Sequence, residues 1–258
     1  MSQYRNILLT ALFLFLTNFL HAWEKVTFRT SDGVEIAGEF SKPASPDKFT
    51  LVLLHGLGSN KEEWKPFGQV CASKGLGVLI YDARGHGDSR KKSNGESVDY
   101  RYFYGRGLSS EWGKMVDDLG SAVSMLIKKF NLNPRNIAVG GASIGANVAL
   151  RYAVRENLVP FAVLLSPGID YQGIAASDVM PNYRGRPLFI AVSPGDGYAY
   201  QSVLALEKIA SKDAFVFVSE EPPAAGHGVQ MFRRDPSGKP SPLELKIIQW
   251  IQNQKVKW

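Results

Sequence analysis

The residue types best suited to chemistry in this chain are a serine, a carboxylate and a histidine, each in a glycine-rich turn after an apolar segment. Gly141-Ala142-Ser143-Ile144-Gly145 follows the apolar run IAVGG and leads straight into helical periodicity. A strand-to-helix turn this tight exposes a serine hydroxyl and needs neighbours without bulky side chains, which Gly141, Gly145 and Ala146 supply. The free N–H groups of the following helix face any negative charge that develops at the serine. A serine that merely caps the helix would need no such setting.

A serine hydroxyl is a weak nucleophile at neutral pH and requires a general base, normally histidine. The chain has four histidines. His21 lies at the end of an N-terminal apolar segment, and His55 and His86 precede the serine in other glycine turns. With the order serine, acid, histidine, His227 in AAGHG is the base by elimination. The third member must be a carboxylate that fixes the imidazole tautomer and stabilises its cation. Between Ser143 and His227 stand Glu156, Asp170, Asp178, Asp196, Glu207, Asp213, Glu220 and Glu221. Asp196 lies in the turn directly after PLFIAVSP and is preferred. Asp170, a few residues beyond another apolar run, is the alternative.

The elements that must position these side chains are legible as alternating patterns. VTFRTSDGVEIAGEF alternates in polarity on either side of Asp32-Gly33, as a β-hairpin does. Short apolar runs follow at 50–55, 77–82, 136–143, 161–167, 187–194 and 214–220. Helical segments are expected at 61–74, 112–130, 144–157, 200–211 and 242–254. Strands alternating with helices imply right-handed crossovers and a parallel sheet covered on both faces. The expectation is an α/β fold with a mostly parallel eight-stranded sheet, an N-terminal antiparallel hairpin and helices on both faces. Ligands of such sheets bind beyond the carboxyl ends of the strands, where all three turns lie.

Composition narrows the class. The 258 residues are 45% hydrophobic and 21% charged, which suits one globular domain over 23–258. The net charge of +6 is spread over short basic runs. No basic helix or aromatic–basic module emerges, so no nucleic-acid partner is expected. Cys71 is the only cysteine, which excludes an intrachain disulfide and cysteine-cluster zinc sites. It is expected to be a small buried apolar group. Arg5, the apolar run from Ile7 to Leu20 and Ala22 have the layout of a signal peptide over 1–22. Export to the periplasm or medium follows, with membrane contact only if the segment stays uncleaved.

Five segments, HGLGSNKEEW (55–64), DARGHGDS (82–89), GASIG (141–145), SPGD (193–196) and GHG (226–228), together resemble the signature turns of the α/β-hydrolase superfamily. The resemblance spans residues 26–254 and is nearest to compact bacterial esterases, acylglycerol lipases and serine-aminopeptidase-like members. It implies that the backbone N–H groups of Leu57 and Ile144 form an oxyanion hole, that the His55 side chain is structural, and that DARGHGDS is an architectural turn. It also implies ester hydrolysis through an acyl-enzyme, with no metal or organic cofactor and a small ester or acyl compound as partner. Peptidase, lipase and thioesterase chemistry use the same groups, and a non-catalytic binding protein on this fold is a further alternative. The segment Gly168 to Gly185 is too short for a large lid domain. An insertion, Arg90 to Ser110, carries Tyr100, Tyr102, Phe103 and Tyr104, which are candidates for the wall of an acyl pocket.

Overall fold

The structure is a computed structural model and describes residues 23–212, 214–234 and 237–255. The signal-peptide reading of 1–22 lies outside the described residues.

The leading hairpin forms as its alternation requires: β1 (Trp23–Arg29) pairs antiparallel with β2 (Val34–Ser41), and Val34 and Ile36 point into the core. Gly33 takes the positive φ (85°) that the turn demands. The central strands are β3 (Thr50–Leu54), β4 (Gly77–Tyr81), β6 (Ile137–Ala142), β7 (Ala162–Leu165), β10 (Pro187–Val192) and β11 (Phe215–Glu220). Short β5 (Lys91–Lys92) pairs with β2, and β8 (Asp170–Tyr171) pairs with β9 (Ile174–Ala175) in a separate hairpin. The main path is β1-β2-β4-β3-β6-β7-β10-β11, antiparallel through β4 and parallel from β4 onward. The eight expected strands are thus present, and β5, β8 and β9 are additions.

Alternate residues of each inner strand serve two cores. In β3, Val52 and Leu54 pack with α2 (Glu111–Phe130), α3 (Ile144–Arg155) and α4 (Gly197–Ile209) on one face. Leu51 and Leu53 pack with α1 (Lys65–Ser73) and α5 (Pro242–Gln252) on the other. Cys71, on α1, is fully buried, and burial pushes its thiol well above the ordinary value. Only β11 departs from the two-sided burial expected of its apolar run. It is the last strand of the path, and Phe215 and Phe217 are exposed.

Two buried ionic clusters hold the turns after β3 and β4. Arg84 (1% exposed) bonds the carboxylates of Asp118, Asp32 and Glu111. Asp82 accepts from the Lys61 backbone N–H at 2.7 Å and from the Lys61 ammonium and the Asp88 N–H at 2.8 Å each. DARGHGDS is therefore architectural, as expected. His86 donates from Nδ1 to the Arg84 carbonyl and stacks on Tyr100 with centroids 4.0 Å apart.

Candidate active site

Ser143 stands between β6 and α3 with φ 55° and ψ −124°. A residue with a Cβ rarely adopts a positive φ, and such strain persists only where the surroundings over-determine it. Here they do. A Cβ on Gly141 would lie 2.3 Å from the Gly145 carbonyl, and one on Gly145 would lie 2.4 Å from the Leu54 oxygen. The turn closes only with glycine at both places. The Ser143 side chain makes no capping bond to its helix, so a plain N-cap does not account for this serine.

Asp196 lies beyond β10 at the N-cap position of α4, and its carboxylate also makes no capping bond. Instead Oδ2 accepts from His227 Nδ1 at 2.5 Å, a short charge-assisted geometry. Its rival Asp170 accepts from Arg106 at 2.7 Å and from the Gly173 N–H at 2.8 Å, on the β8–β9 hairpin. The acid beside the imidazole is therefore Asp196. Ser143 and His227 line one open pocket of about 520 Å³ with Leu57, Ser59, Glu63 and Gln230. Among the described residues no Ser143–His227 hydrogen bond is formed; such bonds are often long before substrate binds.

The segment 55–64 flanks the serine closely, since a Cβ on Gly56 would sit 3.4 Å from the Ser143 Cβ. The N–H groups of Leu57 and Ile144 have no acceptor among the described residues, which leaves both available to a ligand oxygen. The Gly56 N–H is taken by Glu63 Oε1 at 3.0 Å. Burial pushes the Glu63 carboxyl up, opposed by hydrogen bonds from Ser59 and Gly56 and by the charge of His227. His55 points away from the pocket: Nε2 accepts the Ala83 N–H and Nδ1 donates to the Gly56 carbonyl. Burial pushes its imidazole down to about 4. It is structural, as the resemblance implied.

The aromatic insertion stands beside this pocket rather than in its lining. None of Tyr100, Tyr102, Phe103 and Tyr104 lines the pocket beside Ser143. Tyr102 and Tyr104 are exposed by 79% and 94%, whereas Phe103 packs edge-on against Trp112. Tyr100 comes nearest, with its hydroxyl against Gly58, but its ring is spent on His86. The insertion instead braces other parts of the rim, through Arg106 to Asp170 and through the Gly107 N–H to the Gln172 carbonyl.

The aromatic residue at the centre is one that pattern reading did not single out, Tyr171. Its ring stands edge-on to His227, with centroids 6.3 Å apart and planes at 84°. Burial raises its phenol far above the ordinary value and the Asp196 charge adds to this, while the neighbouring Ser143 hydroxyl acts in the other direction. Among the described residues no group of three His, Cys, Asp or Glu side chains is placed to hold a metal ion.

Comparison with known proteins agrees with this architecture. The chain is 25% identical over 186 residues to YfhR of Escherichia coli (strain K12), covering 66% of this chain and 59% of YfhR. It is 28% identical over 149 residues to the polyketide transferase grgF of a Penicillium species, covering 57% of this chain and 46% of that protein. The chain thus spans about three-fifths or less of these curated relatives. The esterase Pf2001 of Pyrococcus furiosus superposes with a TM-score of 0.68 at 20% identity, over 91% of each chain, which shows a shared fold. The family described as serine aminopeptidase, S33, matches residues 45–186, more than half of the sequence. The chain belongs to that hydrolase family and has the α/β-hydrolase fold.

Proposed function

We propose that this protein is a serine hydrolase that cleaves carboxylic esters through an acyl-enzyme. The observation that carries the reading is the 2.5 Å bond that His227 Nδ1 donates to Asp196 Oδ2, with His227 lining the pocket that also holds the strained, uncapped Ser143. In the proposed reaction Ser143 Oγ attacks the ester carbonyl carbon while His227 Nε2 takes its proton. The carbonyl oxygen becomes an oxyanion that accepts from the Leu57 and Ile144 N–H groups, each such donor contributing about 3–4 kcal/mol of transition-state stabilisation. His227 then delivers the proton to the leaving alkoxide, and the C–O bond breaks. A water molecule deprotonated by His227 attacks the acyl carbon, and the carboxylic acid leaves as Ser143 recovers its proton. Asp196 holds the imidazole tautomer and stabilises its cation throughout.

The family description favours a second reading, in which the scissile bond is an aminoacyl amide. The chemistry is the same with an amine as leaving group, so substrate choice alone separates the two. A fluorophosphonate probe should label the wild type and not Ser143→Ala; an unlabelled wild type would favour a binding protein instead. A panel of p-nitrophenyl esters from acetate to palmitate, beside aminoacyl p-nitroanilides, assigns the substrate class. Faster turnover of the anilides would replace esterase by peptidase, and a maximum at long acyl chains would replace it by lipase. Export belongs to the same proposal, and N-terminal sequencing of the mature protein tests it.

A further inference from the structure

Ser166, the residue after β7, is fully buried yet has φ 49°, a second strained serine one strand away from Ser143. All of its polar groups are engaged. Its N–H donates to the Ala191 carbonyl of β10 at 2.9 Å, five residues before Asp196. Its hydroxyl oxygen accepts the N–H of Gly228, the residue after His227, at 2.9 Å. Its carbonyl accepts the Tyr171 hydroxyl at 3.2 Å. One residue therefore touches the strand that delivers the acid, the loop that delivers the base and the ring that stands edge-on to the imidazole. Backbone strain at a buried, fully bonded position points to a geometric requirement that the neighbours enforce.

We infer that Ser166 is a positioning residue that seats His227, with Tyr171 as its second contact. The inference rests on the proposed triad. The hydroxyl fixes the height of the His227 loop through Gly228, and the carbonyl keeps the Tyr171 ring against the imidazole edge. Neither residue needs to exchange a proton with substrate for this. Displacing a general base by about 1 Å is enough to slow chemistry by roughly a hundredfold without weakening substrate binding.

Two variants separate this role from ordinary packing. Ser166→Gly keeps a residue at ease with positive φ and removes the CH2OH side chain, and with it the bond to the Gly228 N–H; Tyr171→Phe keeps the ring and removes the hydroxyl, with its bond to the Ser166 carbonyl and its contact with the Ser143 hydroxyl. With p-nitrophenyl butyrate, Ser166→Gly is expected to lose about ten- to a hundredfold in kcat, with KM within about threefold of wild type. Tyr171→Phe should lose about three- to tenfold in kcat, again with little change in KM. Wild-type kcat in folded Ser166→Gly, or a loss confined to KM, overturns the inference. Should Ser166→Gly fail to fold, wild-type kcat in Tyr171→Phe overturns it equally. A wild-type protein that the fluorophosphonate leaves unlabelled sinks the triad itself, which keeps the two failures distinct.

Discussion

Replacing Asp196 by asparagine tests the electrostatic core of the site. The substitution keeps size and one carbonyl oxygen, so the pocket is preserved while the charge is lost and one acceptor oxygen becomes an NH2 donor. Two unit charges 2.5 Å apart attract by about 2 kcal/mol in water and about 7 kcal/mol at an effective dielectric near 20. The His227 side chain is 40% exposed and Asp196 only 13%, so the pair lies between these limits. About 3–4 kcal/mol of imidazolium stabilisation in the transition state is a fair value, or roughly 10²–10³ in rate. Any wrong tautomer held by the asparagine amide adds to the loss. Steady-state hydrolysis of p-nitrophenyl butyrate should therefore show kcat lower by at least about a hundredfold, with KM changed by less than about threefold. Asp170→Asn, which touches Arg106 and Gly173 rather than the imidazole, should lose less than about fivefold. Comparable losses in the two variants, or Asp196→Asn within about fivefold of wild type, would refute the assignment of the acid.

Three further outcomes follow from the packing. His55, pushed down to about 4 by burial, binds no proton between that value and the unfolded value near 6.5, whereas the unfolded chain does. Its contribution to stability is thus complete above about pH 6.5 and falls by about 3 kcal/mol on acidification to pH 4. Burial raises Asp118 and Glu63 and so works oppositely in part of this window; the readout is therefore the slope of the urea-derived unfolding free energy against pH between about pH 4 and 6.5, compared between wild type and His55→Asn, and equal slopes would reject it. Gly145→Ala places a Cβ 2.4 Å and 2.6 Å from the Leu54 and His55 oxygens, and should cost about 3 kcal/mol and most activity, measured as melting temperature and kcat; an unchanged melting temperature contradicts the close approach. Tyr102→Ser with Tyr104→Ser, both at solvent-exposed positions, should leave kcat/KM on short esters within about twofold of wild type; a larger loss would return these side chains to the pocket.

What was legible in the sequence had to be written in residues that tolerate no substitute. The turn at Ser143 shows itself because Gly141 and Gly145 have no room for a Cβ, and Asp196 because it follows a buried strand by so few residues. Tyr171 was hidden for the opposite reason. Its strands are two residues each, too short for alternation, and Gln172-Gly173 makes the turn with φ 56° and 79°. Asn-Gly or Asp-Gly would have announced that hairpin, but Gln-Gly does not. Glu63 was masked by its neighbours Lys61 and Glu62, since a charged run reads as solvated surface; only the fold turns it toward the Gly56 N–H. The insertion's aromatic content suggested a pocket wall, while partners such as His86 and Trp112 were invisible until the chain was folded.

The strained serines share a construction that explains why the site can hold its shape. The Ser143 N–H donates to the Leu165 carbonyl and the Ser166 N–H to the Ala191 carbonyl, each at 2.9 Å. The parallel ladder thus runs one residue past β6 and β7 before the chain turns to positive φ. A ladder bond at the residue that bends fixes the peptide on its N-terminal side, so the strain cannot relax back along the strand. The same ladder joins β7 to β10, beyond whose end the Asp196 turn begins. Neighbouring strand ends thus supply Ser143, Ser166 and Asp196, and the spacing among them is inherited from sheet geometry rather than from contacts among the three side chains. His227 alone arrives on a loop beyond the edge strand β11. In the proposed mechanism the base is therefore held both by Asp196 on its ring and by Ser166 on its backbone neighbour, and loosening either should slow chemistry before it unfolds the protein.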